Sequence, residues 1–258
     1  SPPDRELIYS YPELRNNPIK NMITRRGCKG FCSYCFNNKW NKLHKHQHPK
    51  GIVRLRDVNS VIDEMLDLKQ NWQPLKMIHI MDDDFVDSID WLKEFLPLYK
   101  TKINLPFICN ACPKHLTEEV AKSLSDAGCA VISFAIECAN DNTRTKVLRR
   151  HSSDKQAVIM ALNNCKKYNI RTRLLNMIGL PVSNSLNDAY ETLDFSIKHK
   201  PTNSRCAVFQ CYKGTELFNI SKKSGYISDN GLVDGFFGTS TLKIDNKKKI
   251  ARLHKLWP

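Results

Sequence analysis

The sequence has no apolar run near the roughly 20 residues that a membrane-spanning helix needs. Its start, SPPDRELIYSYPELRNNP, is polar and proline-rich, without the charged-then-apolar order of a secretory leader. No internal repeat is present, and the only low-complexity tract is the Lys/His-rich stretch 42–50. An initiator Met is missing and the chain stops at KLWP, so it reads as an excerpt of a longer protein. Acidic residues are few beside basic ones: 26 Asp and Glu against 40 Lys and Arg, a formal net charge of +14. That balance raises the prospect of a polyanionic partner, nucleic acid included. The charge gathers in KWNKLHKHQHPK (39–50) and KIDNKKKIARLHK (243–255) rather than in one stripe, which equally fits solvated faces.

Cysteine is plentiful. Ten cysteines in a short loop-rich chain would suggest a disulfide scaffold, but this chain has 258 residues and strong periodicity. Its cysteines point instead to metal or catalysis in a reducing compartment, the cytoplasm.

Short apolar runs alternate with amphipathic helical patterns. Strands are expected at 19–24, 76–81, 103–109, 130–136, 170–181 and 204–212. Asp57 caps a helix to about Lys69, Thr117 caps another, and Ser153 with Gln156 makes a capping box for a helix to about Tyr168. Helices are also expected from Ile89 to Tyr99 and from Asn187 to Lys198. Strands that are apolar on both faces and alternate with helices belong to a covered parallel sheet. Six such units imply the α/β class and a partial, open (β/α)₆ barrel, with a doubly wound sheet as the other option. Either places the active site at the C-terminal strand ends.

The segment RRGCKGFCSYCF (25–36) sets Cys28, Cys32 and Cys35 in a C-x3-C-x2-C loop just after the first strand. Three thiolates from one loop suit three irons of a cubane cluster and leave the fourth iron open. Gly27 and Gly30 permit a tight bend there. Zinc is the rival chemistry, with Cys109 and Cys112 (CNAC) as a second pair, but an x3-x2 triplet is a poor zinc knuckle. Cys109, Cys112, Cys129, Cys138, Cys165 and Cys206 read as small buried hydrophobes. The histidines at 44, 46 and 48 read as solvated.

With this loop in place, nearly the whole chain resembles the radical S-adenosylmethionine (SAM) superfamily. The resemblance implies a TIM-like partial barrel with two cofactors, a [4Fe–4S] cluster on Cys28, Cys32 and Cys35, and SAM. It places Tyr34 near the adenine and the turn MDDDF (81–85) at the methionyl ammonium, which Asp82 or Asp83 could receive. An acidic cap at a helix start is an equal alternative for each of those aspartates. In FAIECAN (134–140), Glu137 matches the residue that meets the ribose hydroxyls. Arg149 matches the arginine that pairs with the methionyl carboxylate, with Arg150 as the register alternative. Asn110 and Asn176 end neighbouring strands and are expected at the same mouth. NMIGLP (176–181) and CYKGTELF (211–218) are similar to two further family turns, but Val182-Ser183, Cys211 and Lys213 depart from them.

The opening segment, VRLRDV (53–58), the acidic turn, LPFICNA and AGC (127–129) are similar to the branch that carries cobalamin-binding domains. That implies methyl transfer or ring formation on a small-molecule, lipid or tetrapyrrole-like substrate. It also implies cobalamin held outside this chain and a reductant such as flavodoxin or ferredoxin. Residues 1–18 then read as a linker after an upstream domain, 19–218 as the core barrel and 219–258 as a C-terminal extension. Two other readings stand beside this one. A tRNA-modifying enzyme similar to the methylthiotransferases is favoured by charge, but residues 1–27 hold no cysteine for the second cluster of that family. The third is a zinc-binding module without catalysis.

Overall fold

A computed structural model describes residues 2–44, 52–227 and 240–257. The N-terminal segment forms two short helices, α1 (Arg5–Tyr9) and α2 (Pro12–Arg15), not only a linker. Both pack beside β1 (Ile19–Met22): Arg5 ion-pairs with Glu64 at 2.5 Å, and the Lys20 ammonium donates to the carbonyl of Leu14 at 3.3 Å. After β1 a small antiparallel ribbon, β2 (Arg25–Arg26) with β3 (Arg54–Leu55), brackets the cysteine loop and α3 (Phe36–His44). Gly27 holds φ at 96°, and a Cβ there would lie 2.3 Å from the Ile52 carbonyl oxygen, so only glycine fits.

From α4 (Val58–Asn71) onward, strands and helices alternate: β4 (Met77–Ile80), α5 (Ile89–Leu98), β5 (Phe107–Asn110), α6 (Glu118–Asp126), β6 (Cys129–Glu137), α7 (Lys155–Lys167), β7 (Arg171–Ile178), α8 (Ser185–His199) and β8 (Asn203–Val208). Two more helices follow, α9 (Glu216–Lys223) and α10 (Lys247–Lys255). β1, β4, β5, β6, β7 and β8 lie side by side in that order, all parallel. β1 and β8 are not paired with each other, so the sheet is the open (β/α)₆ type.

Local chemistry accounts for most element starts. Asp57, Thr117 and Thr215 each accept a backbone N–H of the first turn they cap. The expected capping box at Ser153 is not formed. Asp154 caps α7 by accepting from Ala157 N, and the Ser153 hydroxyl is buried without a partner. The expected strand at 103–109 begins only at Phe107, because α5 runs on through a π turn (Tyr99–Ile103) that ends at left-handed Asn104. The expected strand at 204–212 stops at Val208.

Register separates the two sheet faces. Ile78, Ile80, Phe107, Cys109, Ile132, Phe134 and Leu174 lie on the helix side and build the main core. Phe85, Trp91, Phe95, Tyr99 and Phe107 join it as a chain of edge-on, tilted and stacked rings. A second cluster under β7 and β8 receives α10 through Ile250, while Trp257 donates to the Ser204 hydroxyl at 2.9 Å. The alternate residues line the concave face, which leads to the C-terminal strand ends. Five cysteines read as small core residues are buried: Cys109, Cys129, Cys138, Cys165 and Cys206. Burial pushes the thiols of Cys138 and Cys165 up to about 12. His46 and His48 lie outside the described residues, and His44 stacks on Trp40.

Candidate active site

The cysteine loop is tied down from every side. Below it, buried Arg25 donates to the Phe85 carbonyl at 2.8 Å and pairs with Asp87. Ser33 donates through its N–H to Leu148 O (3.0 Å) and through its hydroxyl to Val147 O (2.6 Å). Its carbonyl accepts from Leu217 N at 2.8 Å. Helix α3 turns a polar face to the loop: Asn41 donates to Cys28 O at 2.8 Å and Asn38 to Phe31 O at 3.3 Å. That face was not read from the sequence. Its signal is the trio Asn37, Asn38 and Asn41, all buried on a helix with few apolar residues to bury.

Gly30 sits inside the triplet. Its N–H points at Cys28 Sγ (3.3 Å), and a Cβ on it would lie 3.3 Å from Cys28 Sγ and 3.8 Å from Cys32 Sγ. Burial pushes the Cys28 thiol up to about 11 and raises that of Cys35; Cys32 and Asp83 add to both. Half-buried Cys28 and Cys35, each raised further by a neighbouring anion, become thiolates readily only beside a cation. The donor set and the side-chain-free hollow at Gly30 therefore fit a thiolate-held cluster.

Beside Cys32 stands a half-buried polar triad. Tyr34 donates to Glu137 Oε1 at 2.9 Å, and Arg150 donates to the Tyr34 hydroxyl at 3.0 Å while lying 3.8 Å from Glu137 Oε1. Arg150 Nη1 is also 3.7 Å from Cys32 Sγ. Glu137 ends β6 at a register shift with φ of 65°, a left-handed conformation that costs a non-glycine residue about 1–3 kcal/mol. Burial raises its carboxyl above the ordinary range, opposed by Arg150 and Tyr34.

Arg149 is elsewhere. Its side chain is 46% exposed and pairs with Glu216 of α9 at 2.5 Å. Left-handed backbone at Arg149 (φ 50°) throws consecutive side chains to opposite sides, so Arg150 faces the triplet and Arg149 faces solvent. Arg149, the residue expected at the cosubstrate, therefore does not reach the triplet, and the register alternative Arg150 does.

The acidic turn divides into separate roles. Asp82 is buried and accepts from Thr24 N (2.8 Å), the Thr24 hydroxyl and Arg25 N (3.3 Å), with Arg25 Nε 3.6 Å away. It straps β1 to β4 and has no oxygen to spare for an ammonium, contrary to expectation. Asp83 is exposed, hydrogen-bonds Asn37 and lies close enough to Cys28 and Cys35 to raise their thiols. Asp84 accepts from Cys112 N at 3.0 Å and meets His115 Nδ1 at 2.7 Å.

Asn110 lies on the concave face and donates to Asp82 O at 3.0 Å. Asn176 does not share that mouth. Register puts it with Leu174 and Ile178 on the helix side, where it donates to the Ser204 hydroxyl and Arg205 O at 3.1 Å each. The CNAC pair is split as well. Cys109 packs in the core 4.0 Å from Cys129, whereas half-buried Cys112 donates to Ser152 O. The two do not form a second metal pair.

The family model described as the radical SAM superfamily matches residues 22–195, from β1 into α8. The chain belongs to the radical SAM superfamily. Members of this superfamily use a [4Fe–4S] cluster and SAM. It is similar to the cytidylyl-2-hydroxyethylphosphonate methyltransferase of Streptomyces wedmorensis, 24% identical over 148 residues, 55% of this chain and 25% of the relative. Among solved structures it is similar to the radical SAM methyltransferase TsrM of Kitasatospora setae with cobalamin and [4Fe–4S] bound. The TM-score is 0.66 at 17% identity, over 88% of this chain and 44% of TsrM. The cobalamin-dependent radical SAM enzyme OxsB gives 0.68 at 14% identity, over 92% and 40%. The chain thus spans a quarter to less than half of these proteins. No helix among the described residues is long and apolar enough to cross a membrane.

Proposed function

We propose that this chain is the catalytic core of a cobalamin-associated radical SAM methyltransferase acting on a small-molecule substrate. The observation that carries the reading is the triad Tyr34–Glu137–Arg150 set against Cys32, at the mouth of a barrel whose relatives are methyltransferases. Cys28, Cys32 and Cys35 would hold the cluster. When bound, it supplies the electron that splits SAM into methionine and a 5′-deoxyadenosyl radical.

The chain's own residues then have distinct tasks. Arg150 presents a planar fork to the methionyl carboxylate, and Glu137 offers acceptor oxygens to the ribose diol. Tyr34 holds the two in place until the cosubstrate enters. Asp83, exposed beside the triplet, receives the ammonium in place of Asp82. Cobalamin, as the methyl carrier, is bound by a part of the protein outside this core, and a flavodoxin or ferredoxin delivers the electron.

The test uses the full-length protein, reconstituted anaerobically with iron and sulfide and given SAM, reductant and cobalamin. The expected products are 5′-deoxyadenosine and S-adenosylhomocysteine, the second only when cobalamin is present. 5′-Deoxyadenosine alone would remove methyl transfer and leave ring formation or another hydrogen abstraction.

A further inference from the structure

Two turns at the C-terminal strand ends bring together donors that neither the cluster nor its cosubstrate uses. Asp84 lies in the turn after β4, and Cys112 and His115 lie in the turn after β5. Among the described residues, these three are the one His/Cys/Asp/Glu trio whose side-chain donor atoms all lie within 4.8 Å of one another.

Local structure holds the trio in place. A single turn of 3₁₀ helix (Pro113–His115) sets the C-x2-H spacing, with His115 N donating to Cys112 O at 3.0 Å. Residues three apart eclipse one another on such a turn, so Cys112 and His115 present their side chains on one side of it. Asp84 reaches this turn from the neighbouring strand. Its Oδ1 accepts from Cys112 N at 3.0 Å and from Val86 N at 3.4 Å. That leaves Oδ2 aimed at His115 Nδ1, 2.7 Å away. The half-buried Cys112 thiol points its hydrogen at the Ser152 carbonyl, 3.3 Å from the sulfur.

An ordinary Asp–His hydrogen bond needs neither of two further features. The carboxylate is oriented by backbone N–H groups, as a metal-binding carboxylate is by its outer hydrogen bonds. The three donors also differ in kind: one sulfur, one imidazole nitrogen and one carboxylate oxygen, all of them zinc ligands. Donor atoms of a tetrahedral zinc site sit about 3.4–3.6 Å apart, so small side-chain rotations close the set. A thiolate and a carboxylate carry two negative charges, which one divalent cation balances. His115 is 42% exposed, so an ion can enter from solvent.

We propose that Asp84, Cys112 and His115 bind one zinc ion, its fourth position taken by a water that a donor atom of the substrate can replace. Three protein ligands and one open position are the pattern of a zinc site that meets substrate rather than one that only braces the fold. The place agrees, because the C-terminal ends of β4 and β5 open on the mouth of the barrel. Arg150 neighbours both Cys112 and Cys32, so the ion and the triplet border the same cavity mouth. The zinc site is read from its three residues alone; only its use toward substrate rests on the radical SAM reading.

The experiment equilibrates cluster-loaded protein with zinc chloride, removes loosely held metal by gel filtration, and counts zinc and iron per chain by mass spectrometry. About one zinc per chain is expected beside the iron. Cys112→Ser and His115→Ala should each weaken zinc about a hundredfold, and Asp84→Asn, which keeps an acceptor for Cys112 N, about tenfold. Wild-type protein that holds zinc no more tightly than the Cys112→Ser, His115→Ala double variant overturns the proposal. A second arm uses the chain with Cys28→Ala, Cys32→Ala and Cys35→Ala, which has no cluster to absorb light, and cobalt(II) in place of zinc. Bound cobalt should give a thiolate-to-metal band in the near ultraviolet that Cys112→Ser removes. No band, or a band that survives Cys112→Ser, also overturns the proposal. Failure of the wild type to take up iron in the first arm counts against the cluster reading and leaves the cobalt result standing.

Discussion

Arg149 and Arg150 are adjacent, identical in type and opposite in consequence. Arg150 Nη1 lies 3.8 Å from a buried Glu137 oxygen, which at an effective dielectric of about 20 is an attraction of about 4 kcal/mol before desolvation is charged against it. Arg150→Ala leaves that carboxylate buried beside Tyr34 alone and removes the proposed fork for the methionyl carboxylate. Losing a charge-assisted contact of this kind costs roughly 1.5–3 kcal/mol, one to two decades of SAM affinity. Arg149→Ala removes a half-exposed pair with Glu216, worth about 0–1 kcal/mol, and touches neither the triplet nor the triad. Calorimetric titration of SAM into anaerobically reconstituted variants, with iron measured on each, separates the two. Arg150→Lys should recover part of the loss, because an ammonium cannot bind as a fork. If Arg149→Ala weakens SAM binding more than Arg150→Ala does, the side-chain directions argued here are wrong.

Other substitutions probe the same framework. Gly30→Ala puts a methyl 3.3 Å from Cys28 Sγ, so iron per chain should fall while the far-ultraviolet circular dichroism is kept. Cys165→Ala removes a core thiol remote from the triplet; iron should be unchanged and stability should drop by about 1 kcal/mol in urea titration. A loss of iron there would expose a second cluster site. Asp188 is buried and its folded-state pKa is raised, chiefly by burial, with the Thr143 hydroxyl opposing. An acid with a raised folded pKa contributes stability below its unfolded pKa and loses it as pH rises through the folded one. Asp188→Asn should therefore gain on the wild type as pH is taken from 4 toward 7, read as the difference in thermal midpoints of cluster-free protein. A variant midpoint that falls further behind the wild type over that range would reverse the assigned sign.

Much of this protein is legible in one dimension. The triplet, the six strands in series and the caps at Asp57 and Thr117 each depend on neighbours a few residues away, and local chemistry sets them. Strands apolar on both faces and alternating with helices were enough to expect a covered parallel sheet. Asp154 displaced Ser153 as a cap because two acceptors stood side by side and the backbone chose one. Helix α3 was missed because it buries asparagines rather than an apolar stripe, and those asparagines make sense only once the cysteine loop lies over them.

Orientation was the part that sequence could not supply. A left-handed residue at Glu137 and another at Arg149 each reset the side-chain phase, and such resets leave no periodic trace. They put Arg150 rather than Arg149 against the triplet. Strand register turned Asn176 to the helix side, and contact with Thr24 and Arg25 engaged Asp82 as a strap. The sequence by itself determined the cysteine triplet and the six alternating β/α units, since both follow from spacing and period. Only the tertiary structure decided which polar side chains face the cluster, because that depends on backbone twist and on partners more than fifty residues away.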